Sequence, residues 1–327
     1  ANHFYIHATE FARPELAEVA ADHLVDEAPG AGHLQHMPSH IYARIGRYAD
    51  ATRANEKAIL ADEDYVVTCR AQGIYPLAYY PHNVHFLWCT TGLQGRSADS
   101  IAAARKVLEQ SRPHLAVLPP FGQLFPVATH FGLVRFGKWD EILAEPLPPE
   151  EHAFWRGVAH YARGIAYARK DEIQKASAEL AALAKIQRAP EHRDTPIGTS
   201  SHGGLLEVAV AVLNGEIAAE DGRYGEAISS LHRAVLLQEG LPYTEPPDWY
   251  FPVRQSLGAV LLEAGRPAEA EAVYWQDLRK NPENGWSLFG LAQALRAQGK
   301  DEMAAGVEAR FAKAWEAADV ELTASRF

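Results

Sequence analysis

Histidine is the residue type that stands out in this chain: 15 of 327 residues, against only 2 cysteines. Neutral imidazole ligates transition metals through a ring nitrogen, and two histidines one helical turn apart form a chelating pair. Their spacing is therefore the first thing to measure. Small turns recur along the chain, at Gly46-Arg47-Tyr48 and Gly95-Arg96-Ser97 among others. Counted back from Gly46, His33, His36 and His40 occupy the thirteenth, tenth and sixth positions; counted back from Gly95, His82 and His85 occupy the thirteenth and tenth. With a turn placed at Arg13, His3 and His7 take the tenth and sixth positions before it. Separations of three, four and seven put side chains on one helix face, so seven histidines from three consecutive units share a surface. Neighbouring helices pack about 8–10 Å apart, close enough for imidazoles of adjacent units to converge on one ion.

The expected metal ligands are His3, His7, His36, His40, His82 and His85, with His33 in reserve. An all-nitrogen set favours Zn, Cu, Fe or Ni over Mg or Ca. One such ion takes about three or four imidazoles, so the set has room for two ions, and an open position would allow hydrolytic or oxidative chemistry. Asn2, Tyr5, Glu10, Tyr42 and Asn83 are the expected partners for the distal ring N–H groups. Pro38 starts a helix or kinks one, which leaves His36 in the preceding turn and serving a different ion from His40, or none. The alternative is a metal-free polar groove that binds a peptide or partner protein without catalysis. The histidines outside these phases, among them His130, His160, His192 and His232, read as surface or packing residues.

The elements that must carry these residues are helices in a repeat. The turn pattern recurs at Gly137, Gly222, Gly265 and Gly299, with a further copy around Asp171 that lacks the glycine. Gly299 follows Gly265 at a spacing of thirty-four, and Ala51, Ala176, Ala227 and Ala270 sit where paired helices must approach closely. From Ser256-Leu257-Gly258 through Tyr274, Pro282 and Gly299 the chain resembles the tetratricopeptide-repeat family. That resemblance implies an all-α superhelix of antiparallel helix pairs, about fourteen helices here, whose first helices line an inner groove. It also implies a protein-interaction scaffold and says little about reaction. The organisation expected is a histidine-rich sub-array over 1–145, a degenerate repeat and linker over 146–204, and a regular sub-array over 205–327. The last of these ends in a capping helix near Asp301 to Ala318. The insertion Leu241 to Pro252, with Asp248, Trp249 and Tyr250, either packs its rings between repeats or forms a binding loop.

Asn2-His3-Phe4-Tyr5-Ile6-His7, His36-Met37-Pro38-Ser39-His40-Ile41-Tyr42 and Tyr79-Tyr80-Pro81-His82-Asn83-Val84-His85-Phe86 are similar to motifs in a group of bacterial repeat proteins. The group has no assigned reaction, so this likeness implies fold and motif only. A net charge of −11 and the lack of any basic block argue against nucleic acid. Apolar runs fall short of the roughly 20 residues of a membrane span. Phosphate-loop, dinucleotide and HExxH patterns are missing, and Gly198-Thr199-Ser200-Ser201-His202 reads as linker rather than nucleophile loop. The chain opens at Ala1 inside an element, so a removed start is expected and the compartment, cytoplasmic or periplasmic, stays open.

Overall fold

The computed structural model describes residues 1–69, 73, 75–118 and 120–327. The chain is all-α, as expected, and the helices come in pairs. The first pair is α1 (Asn2–Thr9) with α2 (Glu18–Glu27). The second is α3 (Gly32–His36) and α4 (Pro38–Ile45) against α5 (Tyr48–Cys69). Next come α6 (Tyr80–Leu93) with α7 (Ser97–Ser111), and α8 (Ala128–Arg135) with α9 (Trp139–Ala144). The remaining pairs are α10 (Ala153–Arg169) with α11 (Ile173–Arg188) and α12 (His202–Glu220) with α13 (Tyr224–Glu239). They are followed by α14 (Val253–Glu263) with α15 (Pro267–Lys280) and α16 (Gly285–Arg296) with α17 (Asp301–Ala314). Among the described residues the only extended pairing is Pro196–Ile197 with Ser200–Ser201.

Each predicted helix-to-helix turn from Gly46 onward places one residue in the left-handed region, where a Cβ is disfavoured. The φ angles run from 64° at Gly137 to 85° at Gly46, and the copy without glycine uses Asp171 at φ 60°. The first turn differs. Arg13 has φ −145°, and a short 3-10 turn over Pro14–Ala17 leads into α2. Ala51, Ala176, Ala227 and Ala270 are fully buried at the crossings. Pro38 removes one hydrogen-bond donor, but Met37 keeps helical angles (φ −52°, ψ −37°), so α3 and α4 follow one path. His36 and His40 therefore stay on one face.

Three features close the array on itself. The insertion before α14 runs over the inner helices, with Trp249 edge-on to Phe131 of α8 and Tyr161 of α10, and Tyr250 stacked on Phe131 at 4.0 Å. After α17 the chain does not simply cap the end but folds back. Trp315 lies over Gly95 and Gly285, where a Cβ would sit 2.4 and 2.3 Å from its ring. Asp319 accepts the Ser97 and Ala98 amides at 2.6 and 2.9 Å, capping α7. Finally, the Tyr48 hydroxyl donates to the Pro282 carbonyl at 2.8 Å and the Trp286 indole to the Gly92 carbonyl at 3.1 Å. The early turns thus touch the late repeats.

A large apolar core runs from Ile59 to Val307. A separate small one, built from residues such as Ile6, Ala21, Leu24, Met37, Ile41 and Tyr42, lies beneath the helices that carry the histidines.

Candidate metal centre

The α3–α4 helix presents His36 and His40 one turn apart, and α6 brings His82 against them. His36 Nε2 lies 2.8 Å from His40 Nε2 and 3.2 Å from His82 Nε2. The three ligand atoms fall within 4.8 Å of one another. The opposite ring nitrogens decide which tautomer each ring adopts. His36 Nδ1 faces Asn55 Oδ1 at 2.7 Å, and Asn55 is oriented by its own Nδ2 donating to the Ala51 carbonyl at 2.8 Å. His36 Nδ1 must therefore donate. His40 Nδ1 faces two carboxylates, Glu10 at 2.8 Å and Glu245 at 3.3 Å, and must donate as well. In the neutral rings both Nε2 atoms then carry bare lone pairs pointed at each other. That contact is repulsive unless a cation, either a proton or a metal, sits between them. A metal at about 2.0–2.1 Å from each nitrogen would subtend roughly 85–105° across these two edges, within the range of tetrahedral and octahedral sites.

A second cluster lies beside the first. His3, His7 and His33 also bring ligand atoms within 4.8 Å of one another, with His3 Nε2 3.2 Å from His33 Nε2. Glu10 joins the two groups, one oxygen 3.2 Å from His7 Nδ1 and the other 2.8 Å from His40 Nδ1. The two clusters obey one rule. Each takes the histidines at the tenth and sixth positions before the turn of one unit, and the histidine at the thirteenth position before the turn of the next. The repeat has built the same three-imidazole site twice. The inner copy is the more enclosed: His36 and His40 are buried, whereas His7 is exposed.

Burial, reinforced by the neighbouring imidazoles, pushes His36 and His82 well below the usual histidine range. Burial likewise pushes His33 down to about 4. All three are neutral bases at neutral pH. Burial would also depress His40, but its hydrogen bond to Glu10 and the charge of Glu245 outweigh that and raise this ring. Burial lifts Glu245 to about 7 even with His40 beside it. One positive charge is thus wanted between His36 and His40.

The repeated site, like the paired helices and their left-handed turns, is a product of tetratricopeptide-like helical-repeat architecture. The chain has a likeness to several solved structures. A tetratricopeptide repeat protein from Parabacteroides merdae ATCC 43184 aligns over 91% of this chain and 98% of its own, with 12% identity and a TM-score of 0.38. An assembly chaperone of RpL4 (Acl4) aligns over 91% and 93%, with 18% identity and a TM-score of 0.33. A structure of Naa15/Naa10 bound to HypK-THB aligns over 94% of this chain and 40% of its own, with 18% identity and a TM-score of 0.31. No family model matches the chain, and no curated protein matches it.

Of the residues expected at the site, His3, His7, His33, His36, His40 and His82 come together, and His36 shares its cluster with His40 despite Pro38. His85 does not join. Its ring stacks on Trp88 at 4.9 Å and meets Phe125 edge-on, and burial alone pushes it down to about 3. Among the expected partners of the ring N–H groups, only Glu10 does that work. Asn2 donates to Glu27, Tyr5 is exposed, and Tyr42 donates to Asp22 at 2.7 Å under the Arg47 guanidinium. Asn83 donates to Asp62 at 2.7 Å, which also accepts from Tyr75 at 2.6 Å. Sequence reasoning missed Asn55 and Glu245, which take those roles from α5 and from the insertion. Trp249 and Tyr250 pack inward, and Asp248 accepts from the Thr199 amide and hydroxyl at 3.1 and 3.2 Å. The segment read as linker is therefore a small hairpin pinned to the insertion.

Gly32, immediately before His33, is wedged against this support. A Cβ there would lie 1.8 Å from Asp62 Oδ1. Gly32→Ala is expected to drive Asp62 off Tyr75 and Asn83 and to cost about 1–3 kcal/mol of stability, as overpacking does. Urea unfolding checks it; a midpoint equal to wild type would show that α3 moves freely.

Proposed function

We propose that this chain is a transition-metal-binding helical-repeat protein with a dinuclear, imidazole-dominated centre in its N-terminal repeats. The observation that carries the reading is the facing pair of bare Nε2 atoms, His36 and His40 at 2.8 Å, with both opposite N–H groups committed to Asn55 and to Glu10 and Glu245. Only a cation between the two rings, a metal or a shared proton, makes that contact favourable, and the metal content tells the two apart. His36, His40 and His82 would hold the inner ion and His3, His7 and His33 the outer one, with Glu10 spanning the two and Glu245 closing the inner site. Nitrogen donors with flanking carboxylates suit Zn, Cu or Fe. The more exposed outer site is the one with room for a labile water, the requirement for hydrolytic or oxidative chemistry.

Elemental analysis of protein purified without a histidine tag tests the reading. After reconstitution and desalting, one to two equivalents of a transition metal are expected. Less than about 0.2 equivalents of every such metal would replace it with a non-catalytic interaction module, since sites of this ligand count bind tightly at neutral pH.

A further inference from the structure

Carried one unit further, the phase rule of the two clusters calls for ligands at the tenth and sixth positions before Gly95 and at the thirteenth before Gly137. Those positions are His85, Cys89 and Leu124. Leu124 has no donor. Cys89 packs against the main core, and burial pushes its thiol up to about 12, so it stays protonated, whereas a metal-binding cysteine is a thiolate. The third copy of the site has therefore lost its ligands.

A cavity of about 320 Å³ stands there instead, lined by His85 and Leu124 together with Phe125, Ala78 and Tyr79. His40 and His82 of the inner cluster and His7 and His33 of the outer one form part of its wall, and Thr244, Glu245, Pro246 and Asp248 of the insertion complete the lining. At about 30 Å³ for a water-sized volume, the space holds roughly ten non-hydrogen atoms, the size of one substituted ring. Leu124, Phe125, Ala78 and Pro246 offer apolar contact. Besides the cluster histidines, the polar groups on the wall are the imidazole of His85, the carboxyl groups of Glu245 and Asp248, and the hydroxyls of Tyr79 and Thr244. The ring of His85 and the two carboxyl groups offer acceptors to a hydrogen-bond donor.

We propose that this cavity binds a small neutral ring compound bearing a hydroxyl, of the phenol class, with His85 accepting a hydrogen bond from that hydroxyl and the ring lying against Leu124 and Phe125. The proposal rests on the metal reading for the placement of that hydroxyl beside the inner ion, while the pocket itself is complete without metal. His85, set aside from the ligand cluster, becomes the residue that orients the guest.

The probe is 4-ethylphenol, titrated by calorimetry and saturation-transfer NMR into metal-loaded and metal-free protein. Binding is expected in both. Ala78→Phe, which fills the cavity, should abolish it, and His85→Phe, which keeps the ring packing on Trp88 and removes the acceptor, should weaken it about tenfold, the usual worth of one buried hydrogen bond. Both variants should keep the wild-type metal content. Should Ala78→Phe fail to fold by circular dichroism, Leu124→Phe replaces it. Absence of phenol binding, or binding indifferent to these substitutions, overturns the proposal. Loss of metal from wild type alone fails the metal reading, and the metal-free titration then still decides the pocket.

Discussion

His40→Ala protein, loaded with Zn(II) and desalted, is expected to retain at most about one equivalent where wild type retains about two, because three imidazoles per ion leave little to spare. His40 ties the inner cluster to two carboxylates: its Nε2 faces His36, and its Nδ1 faces both Glu10 and Glu245. Removing it takes a ligand from the inner site and frees the carboxylate that links that site to His7. His36→Ala should do the same to the inner site, and His3→Ala should empty only the outer one. His85→Ala, His192→Ala and His232→Ala should keep both ions. Metal-to-protein ratios by mass spectrometry give the result directly. Retention by His40→Ala equal to that of His232→Ala would dispose of the cluster as a metal site.

Chelation should have the second large effect, and an uneven one. The first two histidine-bearing units, α1 and the α3–α4 helix, rest on a small apolar cluster, whereas the repeats from α6 onward share a continuous core. A bound ion supplies stability that scales with the logarithm of its concentration over its dissociation constant, and here it acts on the segment with the least burial of its own. Removing it also leaves His36 and His40 face to face without their cation. Amide hydrogen exchange with and without chelator is expected to show residues 1–51, which build the small cluster, losing protection by a factor of about 100 or more, with little change after residue 205; that factor is the linkage at a ligand concentration about 100 times the dissociation constant. Acidification should imitate the chelator only once the pH falls to about 4, where His33 takes up a proton, because burial holds His33, His36 and His82 below the usual histidine range. If chelator and acid leave the N-terminal repeats as protected as before, the histidines do not support the fold through a metal.

The sequence made the repeat legible because its punctuation is local: a left-handed position demands glycine, or an Asp171, wherever the chain lies in space. The histidine phases were legible for the same reason, since they are offsets within one helix. What could not be read is which neighbour each ring meets. His85 shares its phase with His3 and His36, yet Leu124 stands where the next unit's histidine would be, and the ring turns onto Trp88. The acceptors for His36 and His40 come from Asn55, on the second helix of the pair, and from Glu245, far along the chain in the insertion. Tyr42 and Asn83 sit next to the histidines in sequence but point to Asp22 and Asp62. Adjacency in sequence predicted the wrong partners because successive residues on a helix face different ways.

The separation of His82 and Glu245 along the chain also sets an order of events at the ribosome. At about 5–20 residues per second, translation needs roughly eight to thirty seconds to travel from one to the other. During that interval both three-histidine clusters have been synthesised while the carboxylate beside the inner one has not. The nascent chain is then an open imidazole chelator, selecting its ion by availability and by the Irving–Williams order. On the proposed reading, arrival of the insertion ends that period and would enclose whatever ion is bound. The metal content of the finished protein would then record what was accessible while the second half was still being made.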